Sequence, residues 1–455
     1  LPHFSTGWAR CWGRDTFIAF KGNLLIPGLH RIAKDVILMF AASLRNGLIP
    51  NLLDRGASPR YNCRDATWWF IRAIGDYISF TKDYDILQEK VKMYFLSDNQ
   101  KEHHERAEKK EERYMKLEEI IYEIFRQHAI GISFREWNAG EKIDRNMRYE
   151  GFEISLALDE TTGFIVGGNK YNCLTWMDKM GSSDKASNRG IPATPRDGAP
   201  IDMTALLKRA LQIVIDLYEE KKFSYDRVKT RTGSELTFKE WASRIQKNFE
   251  YHYWVPEKEE DFKNYLVDPK FAFCYGIYKD TIQSQNPKIG YKLRPNACIA
   301  LAVAPELFTS NKAYRYLRHV ERILLGNESL GVKTLDPREE EYVPYYDNSD
   351  DSHHYNTAHG FSYHNGPEWV WIYGMFLKAG ISCFSKELSF AGLMSFLSKH
   401  KGFIQKNSWL SLPEITNHNG EPCIYSCPAQ SWSVAVILEA YYEAKLTLKK
   451  DYLQQ

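Results

Sequence analysis

The stretch DMTALLKRALQIVIDLYEE, from Asp202 to Glu220, decides the fold class. Its apolar side chains, Met203, Leu206, Leu207, Ala210, Leu211 and Val214 among them, recur at spacings of three and four. That period lines one face of an α-helix, whereas a strand would alternate. Asp202 is expected at the N-cap, where a carboxylate accepts from the free N–H groups of the first turn. The same period returns in HRIAKDVILMFAASLRNG, where Gly47 is expected to stop the helix, and in RDATWWFIRAIGDYISF from Asp65 onward. It recurs near 235–249, 294–308, 311–325, 367–380, 386–400 and 430–446. Strand-like alternation is rare; GFEISLALDE and TGFIVGGNK are expected to pair as one hairpin.

The chain therefore reads as all-α, built of many antiparallel helices of ordinary length. A closed toroid of helical hairpins, an (α/α) barrel, packs ten or more such helices into one domain. A superhelical solenoid is the rival, and the sequence lacks the fixed repeat a regular solenoid shows.

With 455 residues and 44% hydrophobic content the chain can bury a large core. Sixty basic against 58 acidic side chains leave a net charge of +2, which gives no reason to expect nucleic acid or an anionic membrane as partner. No apolar run is long enough to span a bilayer. The opening LPHFSTGWARCWGRD shows no signal-peptide pattern and no initiator Met, so a processed piece or the C-terminal part of a longer protein is expected. The eight cysteines form no zinc-type pair of CxxC elements; they are expected reduced and mostly buried, as in a cytoplasmic protein. The 28 Tyr, 24 Phe and 12 Trp suit either a large aromatic core or surfaces that stack on sugar rings, and composition favours the core.

One segment departs from this composition. SDNQKEHHERAEKKEERYMKLEE, over 97–119, is nearly all charged or polar and is expected to be a solvated surface insertion. Long loops are expected over 131–200, 326–366 and 401–429, and structureless stretches of that length in a compact domain are usually functional.

In these loops acids recur beside aromatics. NCLTWMDKMG sets Asp178 two residues after Trp176; WLSLPEITNHNG carries Glu414; FSYHNGPEWVW carries His364, Asn365 and Glu368. YNCRDATWW places Arg64 and Asp65 ahead of Trp68, and RCWGRDTFIAF places Trp12 just before Arg14 and Asp15. Glycoside hydrolysis needs such parts. One carboxyl must stay protonated near neutral pH, and an apolar wall such as Trp176 achieves that by desolvating the anion. A second must stay ionised and hold a water or attack directly. An Arg–Asp neighbour pair such as Arg14–Asp15 can serve one sugar hydroxyl as donor and acceptor together, or it can be a buried structural ion pair. No phosphate loop, GxSxG elbow or HExxH element competes, and no metal or cofactor is implied.

Eight ordered stretches carry a family resemblance over more than 400 residues: CWGRDTFIA, GLIPNLL, RYNCRDATWW, GGNKYNCLTWMDKMG, RGIPATPRDGAPID, LRPNACIALAVAPELF, YHNGPEWVW, and LPEITN followed by CPAQSWS. Nearly the whole chain resembles the C-terminal amylo-α-1,6-glucosidase region of eukaryotic glycogen debranching enzymes. The resemblance implies a single glucoamylase-like (α/α)6 domain over 1–455 with long active-site loops. It implies hydrolysis of the α-1,6-linked glucose left at a trimmed glycogen or limit-dextrin branch point, with inversion. Asp178 matches the general acid and Glu414 the general base. WGRD resembles the glucose-gripping element of glucoamylases, which supports Trp12, Arg14 and Asp15. Arg294 and Trp432 fall in segments that resemble pocket lining, and Arg64, Asp65, Trp176 and Asn365 in matched motifs. The resemblance also implies a 4-α-glucanotransferase region in the parent polypeptide, and no eightfold strand–helix repeat is present in this chain. Two alternatives remain: an exo-glucosidase acting on α-1,4 ends, and a non-catalytic glycogen-binding module.

Overall fold

The computed structural model describes residues 11–54, 58–94, 112–136, 139–384 and 390–453. Eleven helices of eight residues or more stand among them: α1 Gly13–Phe20, α2 His30–Ala41, α3 Ala66–Thr81, α4 Leu117–Ile130, α5 Ile201–Glu219, α6 Phe238–Tyr253, α7 Asn296–Val303, α8 Ser310–His319, α9 Val370–Phe384, α10 Phe390–Lys406 and α11 Ser431–Leu453. The odd-numbered helices contact one another in cyclic order. α1 packs on α3, α3 on α5, α5 on α7, α7 on α9, α9 on α11, and α11 returns to α1. Even-numbered helices lie against this ring: α2 on α3, α6 on α5, α8 on α9 and α10 on α11. α4 joins it through Phe125, whose ring centroid is 5.7 Å from that of Trp68.

The ring closes because small residues let backbones meet. A Cβ on Gly22, just past α1, would lie 2.2 Å from the carbonyl oxygen of Ala435 on α11. A Cβ on Gly374 of α9 would lie 2.7 Å from Val436. One continuous apolar core runs from Cys11 to Ala444, and Trp68, Trp69, Trp176, Trp241, Trp254, Trp369 and Trp371 are buried in it. The aromatic richness thus goes largely to the core. Four cysteines, Cys11, Cys63, Cys173 and Cys298, are buried and the other four are half-buried, fewer than expected. Among the described residues no helix is long and apolar enough to cross a membrane.

Hydrogen bonds tie the starts of successive ring helices together. Arg14 on α1 bonds Asp65 ahead of α3, and Arg64 bonds the carbonyl of Arg196, whose guanidinium holds Asp202 on α5. Asp280 accepts from Arg196 and from Asn296, the first residue of α7. Arg294 bonds Asn365 ahead of α9, and the Val370 amide bonds the Glu414 carbonyl. The N-terminal ends therefore gather at one end of the ring, and the long loops sit there.

Several boundaries differ from the sequence reading. α5 starts at Ile201 after Pro200, so Asp202 lies in the first turn, and its carboxylate serves Arg196 rather than capping. α2 ends at Ala41, six residues before Gly47, because the chain turns there toward the 49–53 segment. The 131–200 loop is partly sheet. Glu153–Leu158 pairs with Ile165–Gly167, the expected hairpin, and Ile132–Arg135 adds a third strand. The charged insertion lies mostly outside the described residues. Its end is earlier than 119: Tyr114–Lys116 pairs with Lys90–Lys92, and Leu117 and Ile120 of α4 are already buried.

Candidate active site

Arg14 organises the open end of the ring. It stands in the first turn of α1 with its side chain 3% exposed, so its charge must be met by protein groups. Nε bonds both oxygens of Asp65 at 2.8 and 2.9 Å, Nη1 bonds Asp178 at 3.1 Å, and Nη2 reaches the Cys63 sulfur at 3.3 Å. The Cys63 thiol in turn donates to Asp65 at 2.7 Å. Of the two readings of the Arg14–Asp15 neighbours, the guanidinium forms ion pairs, but to other acids, Asp65 and Asp178, rather than to Asp15. Asp15 is buried with its carboxyl driven up to about 8, by desolvation first, with Asp178 and Glu414 adding repulsion against the Arg14 charge.

Asp178 lines a cavity of about 260 Å³ together with Trp12, Asn51, Arg60, Asn62, Asp144, Asn146, Met147, Cys173, Lys179, Met180, Ser182 and Tyr363. Its side chain is 35% exposed into that space. Desolvation raises its pKa and Arg14 opposes the rise, with the net direction upward. Arg14 opposes through both its charge and its hydrogen bond, while the Asp65 carboxylate beside it pushes the other way; the three groups together carry one negative charge when all are ionised. Trp176 is not the wall. Its indole turns into the ring, donates from Nε1 to Asn296 at 2.7 Å, and packs edge-on against His364, Trp369 and Trp371.

A three-stranded sheet positions Glu414. Glu368–Trp369 pairs on one side with Val332–Lys333 and on the other with Ile415–Thr416, which fixes the residue just before Ile415. The Tyr363 hydroxyl donates to Glu414 Oε2, and Gln430 Nε2 donates to Oε1 at 3.1 Å. Burial nevertheless drives the Glu414 carboxyl up to about 7; the Tyr363 bond opposes this and the Asp178 charge adds to it. Tyr363 lines the Asp178 cavity and bonds Glu414, so Glu414 stands directly behind the Tyr363 wall of that space, near enough for the Asp178 charge to act on it. Like charges near one another resist simultaneous ionisation, so each acid favours the protonated form of the other.

The other anticipated residues separate into two groups. Trp12 is on the cavity wall and Asp65 directly beneath it through Arg14. Arg64, Arg294, Asn365 and Trp432 are elsewhere. Arg64 is fully buried and donates to the carbonyls of Gly167, Gly198 and Arg196. Arg294 bonds the carbonyls of Thr334 and His364 and the Asn365 side chain, and both line a separate space of about 70 Å³. Trp432 stacks on Trp371 at 5.2 Å inside the ring. Glu368, the acid of the FSYHNGPEWVW stretch, sits on a strand, although helical periodicity is expected over 367–380. Ser329, Thr416 and the amides of Asn419 and Gly420 occupy both its oxygens, so it pins loops. Sequence reading missed Tyr363 and Gln430. Each lies in a stretch singled out for a different residue, and which of several adjacent polar side chains faces the cavity is decided by the fold. Among the described residues no cluster of three or more His, Cys, Asp or Glu could hold a metal ion.

A family model described as amylo-alpha-1,6-glucosidase matches residues 1–439. The glycogen debranching enzyme of Saccharomyces cerevisiae is 44% identical over 460 residues; the match covers 97% of this chain and 30% of that enzyme's length. Among solved structures, a GH63 mannosylglycerate hydrolase from Thermus thermophilus in complex with glucose superposes with a TM-score of 0.52 at 12% identity, over 97% of this chain and 95% of that one. An uncharacterized conserved protein from the same organism matches equally, at 0.52 and 12% over the same shares. At such identity the two structures show a shared, mostly helical fold.

Proposed function

The chain belongs to the amylo-alpha-1,6-glucosidase family, and from that premise we propose that it is an inverting glucosidase. It hydrolyses single α-1,6-linked glucose stubs at branch points of glycogen or limit dextrin and releases free glucose. One observation carries the reading: Tyr363, on the wall of the Asp178 cavity, bonds Glu414, so two acids far apart in the chain meet at one place and feel each other's charge. Asp178 is the general acid, held off full ionisation by burial. Glu414 is the general base, and donors on both its oxygens favour the anion that activates water. Trp12, Arg14 and Asp15 shape the pocket for the cleaved glucose, with Asp65 anchoring Arg14. Arg64, Trp176, Arg294, Asn365 and Trp432 brace the loops around it.

The cyclic order of six ring helices with others outside supports an (α/α)6 toroid as one domain over 1–455. The match to under a third of the yeast enzyme supports a longer parent protein, and a 4-α-glucanotransferase region there would trim the branch before this site acts. Free thiols on all eight cysteines are compatible with a cytoplasmic setting.

An inverting enzyme keeps its two carboxyls roughly 6.5–9.5 Å apart, leaving room for a water. Proton NMR of the first glucose released from a singly branched limit dextrin is expected to show the β-anomer. Initial α-glucose refutes inversion. Faster glucose release from linear maltooligosaccharide than from the limit dextrin would assign the site to α-1,4 ends instead.

A further inference from the structure

A space of about 260 Å³ is below the roughly 300–1,000 Å³ of sites that take drug-sized ligands. It takes one hexose ring. A stub enters such a space still bonded to its parent chain, and that chain must lie across the mouth. Two loops that reach Tyr363 and Glu414 carry exposed aromatic and apolar side chains. Tyr345 is 49% exposed, Tyr425 42% and Ile424 85%, and the loops run side by side. Both loops are fastened to the cavity. The Tyr346 ring packs 4.5 Å from that of Tyr363, and Cys427 accepts the Glu414 amide. The loops are also fastened to each other: the Cys423 thiol bonds the Tyr346 carbonyl, and the Tyr425 hydroxyl bonds Ser349 Oγ at 2.7 Å. Next to Ser349, Asn348 accepts from Lys179, which also lines the cavity.

We propose that Tyr345 and Tyr425 form a stacking platform for the α-glucan chain that carries the stub, beyond the bond that is cleaved. Tyrosine faces pack on the C–H faces of sugar rings and need no charge, which suits a neutral polymer. Loops cross-braced to the cavity wall hold the rings at low entropic cost. The platform confers preference for polymeric over small substrates. This rests on the glucosidase reading of the cavity.

The test compares two substrates. Limit dextrin occupies cavity and platform; α-glucosyl fluoride occupies the cavity alone. For the Tyr345→Ala, Tyr425→Ala double variant, kcat/KM on limit dextrin is expected to fall roughly tenfold, through KM, with the fluoride unchanged. The Tyr345→Phe, Tyr425→Phe variant, which keeps the rings, is expected to match wild type on both. Equal losses on both substrates, or no loss on limit dextrin, overturn the platform. If the unaltered protein releases no glucose from either substrate, the glucosidase reading fails by itself. Retardation in a glycogen-containing gel then judges the platform: weakened retardation of the alanine variant supports it, and unchanged retardation overturns it.

Discussion

Glu414 and Glu443 belong to the same ring, yet their carboxyls are driven in opposite directions, up to about 7 and down to about 2. Burial raises both, so burial does not decide. Company does. Glu443, on α11, is half-buried, 2.7 Å from Lys21 and 3.5 Å from Lys378, with Arg72 adding to the field. Around it Lys21, Arg72 and Lys378 stand against Asp76, Glu439 and Glu443, three charges of each sign. Arg72 is seven residues past Asp65 along α3, so this plug sits roughly 10 Å below the site at 1.5 Å rise per residue. At the open end Asp15, Asp65 and Asp178 gather around Arg14, and Glu414 is near enough to act on Asp15 and to feel Asp178. Lys179, on the cavity wall, turns its ammonium outward to Asn348. Balanced charge fixes protonation; deficient countercharge leaves protons free to move. The plug holds the ring and the deficit makes chemistry possible.

The largest expected effect attacks the deficient end. Asp178→Asn and Glu414→Gln should each lower glucose release from limit dextrin by about 10²–10⁴-fold, the range of a lost general acid or base. They should differ on α-glucosyl fluoride, whose leaving group needs no protonation. Asp178→Asn should recover most of its activity there, whereas Glu414→Gln should not. Recovery in the Glu414 variant instead would exchange the two roles.

The next effect attacks the balanced end. Lys378 is 2% exposed and pairs with Glu439, itself 1% exposed. Glu439→Gln leaves that ammonium short of countercharge, and breaking a buried pair from one side costs about 3–5 kcal/mol. Chemical denaturation should show this loss, while activity per folded molecule stays near wild type. A variant that keeps its stability but loses activity would join the two ends and break the comparison.

The sequence carries the two ends unequally. Periodicity of three and four identifies the ring helices because each buries a stripe, and the site stretches stand out as acids beside aromatics. Which partner an acid meets was not legible. Arg14 neighbours Asp15 in sequence, yet it is consumed by Asp65 and Asp178, 51 and 164 residues away. Trp176 is two residues from Asp178, and a bend at Thr175–Trp176 lets the indole enter the core while the carboxylate faces the cavity. Nothing in the sequence marks Lys378, Glu439 and Glu443 as partners; only ring closure brings them together.

A smaller effect belongs to Tyr363. Its hydroxyl favours the Glu414 anion, and burial keeps its own pKa far above neutrality, so it remains a donor. Tyr363→Phe removes that bond and drives Glu414 further up. The acid limb of kcat/KM should move to higher pH by about one unit. The loss should be near tenfold at pH 6 and mostly recovered at pH 8. A uniform loss across pH would make Tyr363 a packing residue only.

The smallest effect is on stability, and the two glutamates should give it opposite signs. Glu414 is raised from 4.5 to about 7 on folding, so its contribution is fully present below pH 4.5 and disappears as pH rises through 7. Glu443 is lowered from 4.5 to about 2, so its contribution is present above pH 4.5 and disappears as pH falls through 2. Glutamine at either position removes the titration. Between pH 4.5 and 8 the melting temperature of Glu414→Gln should climb relative to wild type, by a difference on the order of 1 kcal/mol. That of Glu443→Gln should lie below wild type at pH 6 and converge with it toward pH 2. Parallel curves for Glu414→Gln and wild type across pH 4.5–8 would mean that solvent in the cavity already screens the carboxyl, and the contrast between the two ends would rest on Glu443 alone.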